Sequence, residues 1–243
     1  MVKYLRRVKI LLALALLAFA AFLGWGYARN HPEDVPWTKL DLAQPVGLFT
    51  GRKLAALAGE GETCRALLRR AGISFTALPV RDPPGQCGYE DAVRFARGGA
   101  LSAAYRPADL GTSCPVAAGL ALWDWHVVQP AALRHFGVRV ASIEHYGSYS
   151  CRRIYGRPEG AWSEHSTANA VDIAGFRLAD GRRISVARDW RVGGAEARFL
   201  REVRDGACRL FATTLSPDYN AAHRDHLHLD QAKRGAMGWR ACR

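Results

Sequence analysis

No two cysteines of this chain stand in C-x-x-C spacing, although it holds six. That excludes a thioredoxin-like redox site and argues against a zinc site built from thiolates. There is no internal repeat, and no low-complexity tract outside one apolar run near the start. Acidic residues are the minority: Asp+Glu number 22 against 34 Lys+Arg, for a formal net charge of +12. Such a chain suits anionic partners such as cell-wall polymers or lipid head groups. No basic recognition helix or nucleic-acid motif accompanies the charge, and the export signal below speaks against nucleic acid as a partner.

Residues 1–9 form a basic flank with Lys3, Arg6, Arg7 and Lys9 and no acid. Residues 10–28 follow without a charge and are rich in Leu and Ala. A bilayer needs about 20 such residues, so the run reads as a single transmembrane signal anchor. The positive flank keeps the N-terminus cytoplasmic and places the rest of the chain outside the membrane. Trp25 and Tyr27 suit the outer interface. A cleaved signal peptide is the competing reading, with Gly26-Tyr27-Ala28 as a small-x-small site, but the apolar run is long for one. Both readings export the domain. The six cysteines (Cys64, Cys87, Cys114, Cys151, Cys208 and Cys242) agree, because an even set in an exported chain reads as a disulfide framework. Sequence order pairs them as Cys64–Cys87, Cys114–Cys151 and Cys208–Cys242.

Residues 29–49, with Pro32, Pro36 and Pro45, read as a linker off the membrane, and 50–243 as one domain. Within it, 52–58, 62–70, 114–128 and 196–203 read as helices. Ser113 would cap the third, and Pro115 fits its first turn. Pro130 kinks or restarts that helix and Gly137 ends it. Strands are expected at 74–80, 92–96, 100–105 and 138–145. A hairpin joins 171–178 to 183–186 through Ala179-Asp180-Gly181-Arg182, and residues 81–85 form a turn. Hairpins without βαβ crossovers predict an α+β fold with a mainly antiparallel sheet flanked by helices.

The chemistry is concentrated in two clusters, Glu164-His165-Ser-Thr-Ala-Asn-Ala-Val-Asp172 and His223-Arg-Asp225-His226-Leu-His228-Leu-Asp230. Two imidazoles and one carboxylate make the three protein ligands that a catalytic zinc takes when one position stays open for water. On a strand at 226–230, His226, His228 and Asp230 share one face, and Leu227 and Leu229 the other. The seven residue-to-residue steps from His165 to Asp172 would span about 23 Å if extended, so the chain must turn between them. Asp172 would then share a face with Ala170 and Ala174, opposite Val171 and Ile173. His31, His126, His135 and His145 read as structural or incidental.

From about Leu57 to the C-terminus the chain resembles the extensin-like C-terminal domain proteins of bacteria. Its clusters resemble the H-x6-D and H-x-H signatures of the lysostaphin-type, D-Ala-D-Ala metallopeptidase and hedgehog group, and His223-x-x-His226-x-His228 is similar to the penicillin-insensitive murein endopeptidases. The resemblance implies His165, Asp172 and His228 as zinc ligands. Related dipeptidases place a Glu base three residues before the last ligand, whereas this chain has the shorter Asp225 there. His226 is then the first choice for proton transfer, and His223, of opposite strand parity, the second. Asp225, Glu164 and Asp230 are candidates to orient neighbouring imidazoles. In related D-Ala-D-Ala peptidases a Ser/Arg-bearing turn precedes the first motif, and Gly147-Ser-Tyr149-Ser-Cys151-Arg152-Arg153 resembles it. Arg152, or Arg153, would clamp a peptide carboxylate or an oxyanion. A disulfide at Cys151 would pin this turn beside the site. The implied function is an exported zinc peptidase acting on peptidoglycan stem peptides or cross-links. The alternative is a noncatalytic zinc-containing module that binds peptidoglycan or a partner.

Overall fold

In the computed structural model, residues 1–83, 85–235 and 239–243 are described, without the side chain of Val2. Pro84, in the turn expected at 81–85, lies outside them; an antiparallel bridge between Arg81 and Tyr89 flanks it. The chain starts with helix α1 (Val2–Asn30), whose apolar side chains are exposed along its length. Among the described residues, this one helix is long and apolar enough to cross a membrane. The segment that follows folds back on the domain: Val35 and Leu42 are buried, and Lys53 Nζ donates to the Pro32 carbonyl.

The rest is an α+β domain. Helices α2 (Thr50–Ala55) and α3 (Gly61–Arg70) lead into β1 (Ile73–Ala77), which pairs antiparallel with β2 (Val93–Gly99). The sequence places α2 at 52–58; in the structure its end tightens, Leu57 and Ala58 bonding back to Leu54 and Ala55 in i−3 pairs before Gly59 turns the chain at φ 89°. Next come β3 (Ala104–Arg106) and β4 (Gly111–Thr112), then α4 (Cys114–Trp123), a π-helical turn at Asp124–Val128, and α5 (Gln129–Phe136). Ser113 Oγ accepts from Val116 N at 3.5 Å, which makes Ser113 the cap. The π turn solves the problem that Pro130 poses. Proline lacks an N–H and crowds the carbonyl four residues back, and a widened turn accommodates both. Gly137 ends α5 at φ 72°.

The larger sheet runs β10-β8-β9-β6-β5-β3, with β7 added against β6. Its members are β5 (Val140–Gly147), β6 (Ala170–Leu178), β7 (Arg183–Ser185), β8 (Thr213–Leu215), β9 (Leu227–Asp230) and β10 (Ala241–Cys242), besides β3. The pairings β5–β6, β6–β7, β6–β9 and β8–β9 are antiparallel, while β3–β5 and β8–β10 are parallel. Helix α6 (Val186–Asp189) follows β7, and α7 (Gly194–Leu210) precedes β8. Helix α7 runs past the 196–203 read from sequence. Its apolar stripe continues through Ala207 and Leu210, and Gly206 faces α4's extension so closely that a Cβ there would lie 2.3 Å from Val127 Cγ1. Trp123, Phe176 and Phe199 join helices to sheet, with Phe176 ring centroids 5.8 Å from Trp123 and 5.0 Å from Phe199. The β5–β6 register shifts near Glu144 and His145, a bulge that reverses side-chain parity along β6. Val171 and Ile173 before it, and Phe176 and Leu178 after it, therefore all reach the core. Asp172 is left on the other face.

Three disulfides tie the domain: Cys64–Cys114, Cys87–Cys151 and Cys208–Cys242. The last matches sequence order, and the other two correct it. Cys64, on α3, is packed against the start of α4 at Cys114, both fully buried. Cys87 instead lies beside the turn bearing Cys151, where Gly88 N donates to the Ser166 carbonyl at 2.8 Å.

Candidate metal centre

The turn between His165 and Asp172 is a single 3-10 turn at Glu164–Thr167, with Ser163 Oγ accepting from His165 N at 3.3 Å. Ala168 then reverses the chain in the left-handed region, at φ 55°. That conformation is unfavourable for alanine. It is held by the Ala168 carbonyl, which accepts from Ser113 N, Thr112 Oγ1 and Ser148 Oγ at 2.8, 3.0 and 3.0 Å. The reversal sends the chain into β6 with Asp172 beneath His165. On the neighbouring strand, His228 stands directly opposite Asp172 in antiparallel register, so both side chains rise on one face.

Three ligand-type atoms meet there. His165 Nε2 lies 3.2 Å from Asp172 Oδ1 and 3.2 Å from His228 Nδ1, and His228 Nδ1 lies 3.0 Å from Asp172 Oδ1. The hydrogen bonds behind them assign the tautomers. His165 Nδ1 donates to the Ser148 carbonyl at 2.6 Å, which leaves Nε2 bare. His228 Nε2 donates to Asp230 Oδ2 at 3.0 Å, which makes Nδ1 the lone-pair nitrogen of the neutral imidazole. Three lone-pair atoms therefore face one point, an arrangement that needs positive charge. A tetrahedral zinc with bonds of about 2.0–2.1 Å would set its ligand atoms about 3.3 Å apart, close to the spacing found. Two imidazoles also disfavour Ca²⁺ or Mg²⁺, which take oxygen ligands. These residues fit a zinc ion.

Electrostatics report the same demand. Burial pushes the Asp172 carboxyl up, but hydrogen bonds and charge from His165 and His228 outweigh it and hold it far below the usual range. Burial depresses the His228 imidazole, but Asp172 and Asp230 prevail and raise it to about 9. His223 is driven down to about 4 by burial and by neighbouring His226 and His228.

The centre lies in a groove of about 700 Å³ whose wall includes Arg152, Tyr155, Trp162, Tyr219, Arg234 and Arg243. His226, just before β9, holds Asp225 Oδ1 at 2.9 Å through Nδ1, and its Nε2 lies 3.5 Å from Asp172 Oδ1. His223 sits on a 3-10 turn, its ring 5.2 Å from that of His226 and 5.9 Å from that of His228. Its Nδ1 lies 2.7 Å from Asn220 Oδ1. That same oxygen accepts from Ala222 N at 3.0 Å, so it is an acceptor and His223 Nδ1 must donate. His223 Nε2 is thus a bare acceptor. Asn220 Nδ2 donates across to the Tyr155 hydroxyl at 3.0 Å.

The remaining expected residues divide. Asp230 supports His228 and also accepts from Ala232 N at 3.0 Å. Glu164 lines the groove but holds Asn169 Nδ2 at 2.6 Å rather than an imidazole, and burial raises its carboxyl. Arg152 is exposed on the groove wall, whereas Arg153 stacks over Trp162 at 4.6 Å. Tyr149 packs edge-on against Tyr89 beneath Arg81. Sequence reading missed Ser148, Asn220 and Tyr155. Asn220 had a local signal, as an Asn three residues before a histidine at a turn; the other two act through tertiary contacts.

The fold and this cluster define an α+β domain in which three side chains able to hold a metal ion meet in one groove. Residues 62–243 match the family model of the extensin-like protein C-terminus, and the chain belongs to that family. The match spans the whole centre and all six cysteines. No match was found among curated proteins or solved structures.

Proposed function

We propose that the protein is an exported zinc-dependent peptidase that hydrolyses D-amino-acid-containing bonds in peptidoglycan stem peptides or cross-links. It would be anchored in the bacterial inner membrane with its domain in the periplasm. The observation that carries this reading is the convergence of His165 Nε2, Asp172 Oδ1 and His228 Nδ1, within 3.0–3.2 Å of one another, in an open groove. The substrate class comes from the likeness of the two motifs to the lysostaphin-type and D-Ala-D-Ala metallopeptidases.

When bound, zinc supplies Lewis acidity and a water of lowered pKa. The chain's own residues do the rest. Ser148 and Asp230 fix the two imidazoles in the tautomers that present bare nitrogens. His223 would offer its bare Nε2 to take a proton, in the tautomer that Asn220 fixes through Nδ1. His226, braced by Asp225, is the second proton-handling imidazole. Arg152, on the groove wall, would bind a peptide carboxylate.

The test is a digest. Full-length chain in detergent is incubated with purified muropeptides and the products are read by mass. New amine termini that vanish on chelation and in His228→Ala support the peptidase. Muropeptides that bind tightly yet stay intact would mark the domain as a binding module instead.

A further inference from the structure

The segment between α1 and α2 is knitted into the end of the apolar helix. Tyr27, the last aromatic of the uncharged run, donates its hydroxyl to Asp34 Oδ2 at 2.6 Å and stacks on His31 with ring centroids 4.5 Å apart. The other Asp34 oxygen accepts from the Leu48 backbone N–H at 2.7 Å. Phe49 N bonds to the Glu33 carbonyl, and Lys53 Nζ donates to the Pro32 carbonyl and to Thr38 Oγ1 at 2.8 and 2.7 Å. A flexible tether makes no such ties.

Two large apolar side chains on this collar remain open to solvent, Trp37 at 81% and Leu48 at 73% exposed. Leu48 is only two hydrogen bonds from Tyr27, at the level where the uncharged run ends. When residues 10–28 span a bilayer, that level is the membrane–water interface, where Trp is a preferred residue. We infer that the collar, residues 31–49, docks on the outer face of the membrane with Trp37 and Leu48 against lipid. The domain then sits on the bilayer rather than trailing from it. Helix α2, which begins where the collar ends, shares a cavity with Ala232 and Arg234, and both of those also line the groove of the metal centre. The groove is thereby linked, through α2, to the collar.

This inference rests on the anchor reading of residues 10–28 and is independent of the peptidase reading. The test uses the full chain in phosphatidylethanolamine/phosphatidylglycerol nanodiscs, with a nitroxide on single cysteines introduced by Leu16→Cys, Trp37→Cys, Leu48→Cys or Val192→Cys. Val192 is the water-exposed reference, at 78% exposed. Collision with oxygen against collision with a soluble nickel chelate reads depth. The expected result is lipid depth at 16, several-fold lower nickel collision at 37 and 48 than at 192, and full nickel access at 192. Lipid depth at 16 with 37 and 48 as open as 192 overturns the collar and leaves the anchor standing. Full nickel access at 16 removes the anchor, and the collar falls with it. Shielding at 48 accompanied by spin–spin broadening that disappears on dilution with unlabelled chain assigns the patch to a second copy and overturns lipid docking.

Discussion

Asp172 and His228 occupy paired positions on two antiparallel strands, and their facing atoms, Oδ1 and Nδ1, lie 3.0 Å apart. One side chain arrives from the motif at 165–172 and the other from the motif at 226–230. Their meeting is set by strand register, because a slip of one residue would send His228 into the core and Leu229 into the groove. Two of the three donors are thus set by the sheet, and the third, His165, comes from the 3-10 turn before β6.

Removing one donor should abolish stoichiometric metal while leaving the fold intact. In His228→Ala or Asp172→Asn, zinc retained after dialysis should drop from one equivalent toward none, with affinity lower by a factor of about 100 or more. Elemental analysis beside circular dichroism checks this. One retained equivalent of zinc in both variants would falsify the three-donor centre.

Without metal, stability should depend on pH through His228. Its folded pKa, about 9, is above the ordinary 6.5. The raised value contributes stability that is fully present below about pH 6.5 and is lost as pH rises through 9. The upper bound is about 3 kcal/mol. Asp172 acts at the other end: its depressed pKa contributes stability above about pH 4 that fades as acid protonates it. A zinc ion held here would compete with the proton at His228 Nδ1, so metal affinity should rise with pH. Urea unfolding of chelated protein at pH 6 and pH 9 should give the lower midpoint at pH 9.

Asn220 should matter through the tautomer of His223. In Asn220→Ala, kcat on muropeptides should fall by about 10- to 100-fold with KM and zinc content unchanged. Asn220→Asp keeps an acceptor opposite Nδ1 and should recover most of the rate. Long-range ¹H–¹⁵N spectra of labelled histidines read the tautomer directly. A proton on Nε2 of His223 in the unmodified protein would refute the assignment even if the enzyme is active.

The Cys87–Cys151 bridge should hold the groove wall. It closes a sequence separation of 64 residues, for which chain entropy gives a stabilisation of about 4 kcal/mol. Its sulfur is one residue from Ser150, whose N–H bonds the His165 carbonyl at 2.9 Å. Cys87→Ser with Cys151→Ser should lower the melting temperature and weaken zinc binding together. Peptide mapping without reduction should recover 64–114, 87–151 and 208–242; the pair 114–151 would contradict the fold.

Much of this could be read along the chain, because strand parity and cap chemistry are local. The alternation in 226–230 already separates His226, His228 and Asp230 from Leu227 and Leu229. Ser113, Pro115 and Gly137 mark a helix start and end where the structure has them. Pro130 announces a disturbance, but the π turn that answers it depends on what packs around α4. Helix α7 was legible only to Val203, because Arg204, Asp205 and Gly206 resemble a stop unless Val127 is known to lie against that glycine.

The sequence by itself determined the kinds of donor, their spacing within each motif, the apolar N-terminal helix and the α+β class, since each follows from short-range periodicity and composition. Tertiary structure alone decided which cysteines pair, which nitrogen of each imidazole is bare, and that residues 31–49 are bound to the helix end. Those outcomes depend on contacts between segments 14 to 64 residues apart: Cys87 with Cys151, the Ser148 carbonyl with His165, Asp34 with Leu48. No local pattern encodes such distances; they exist only once the sheet register and the core have closed.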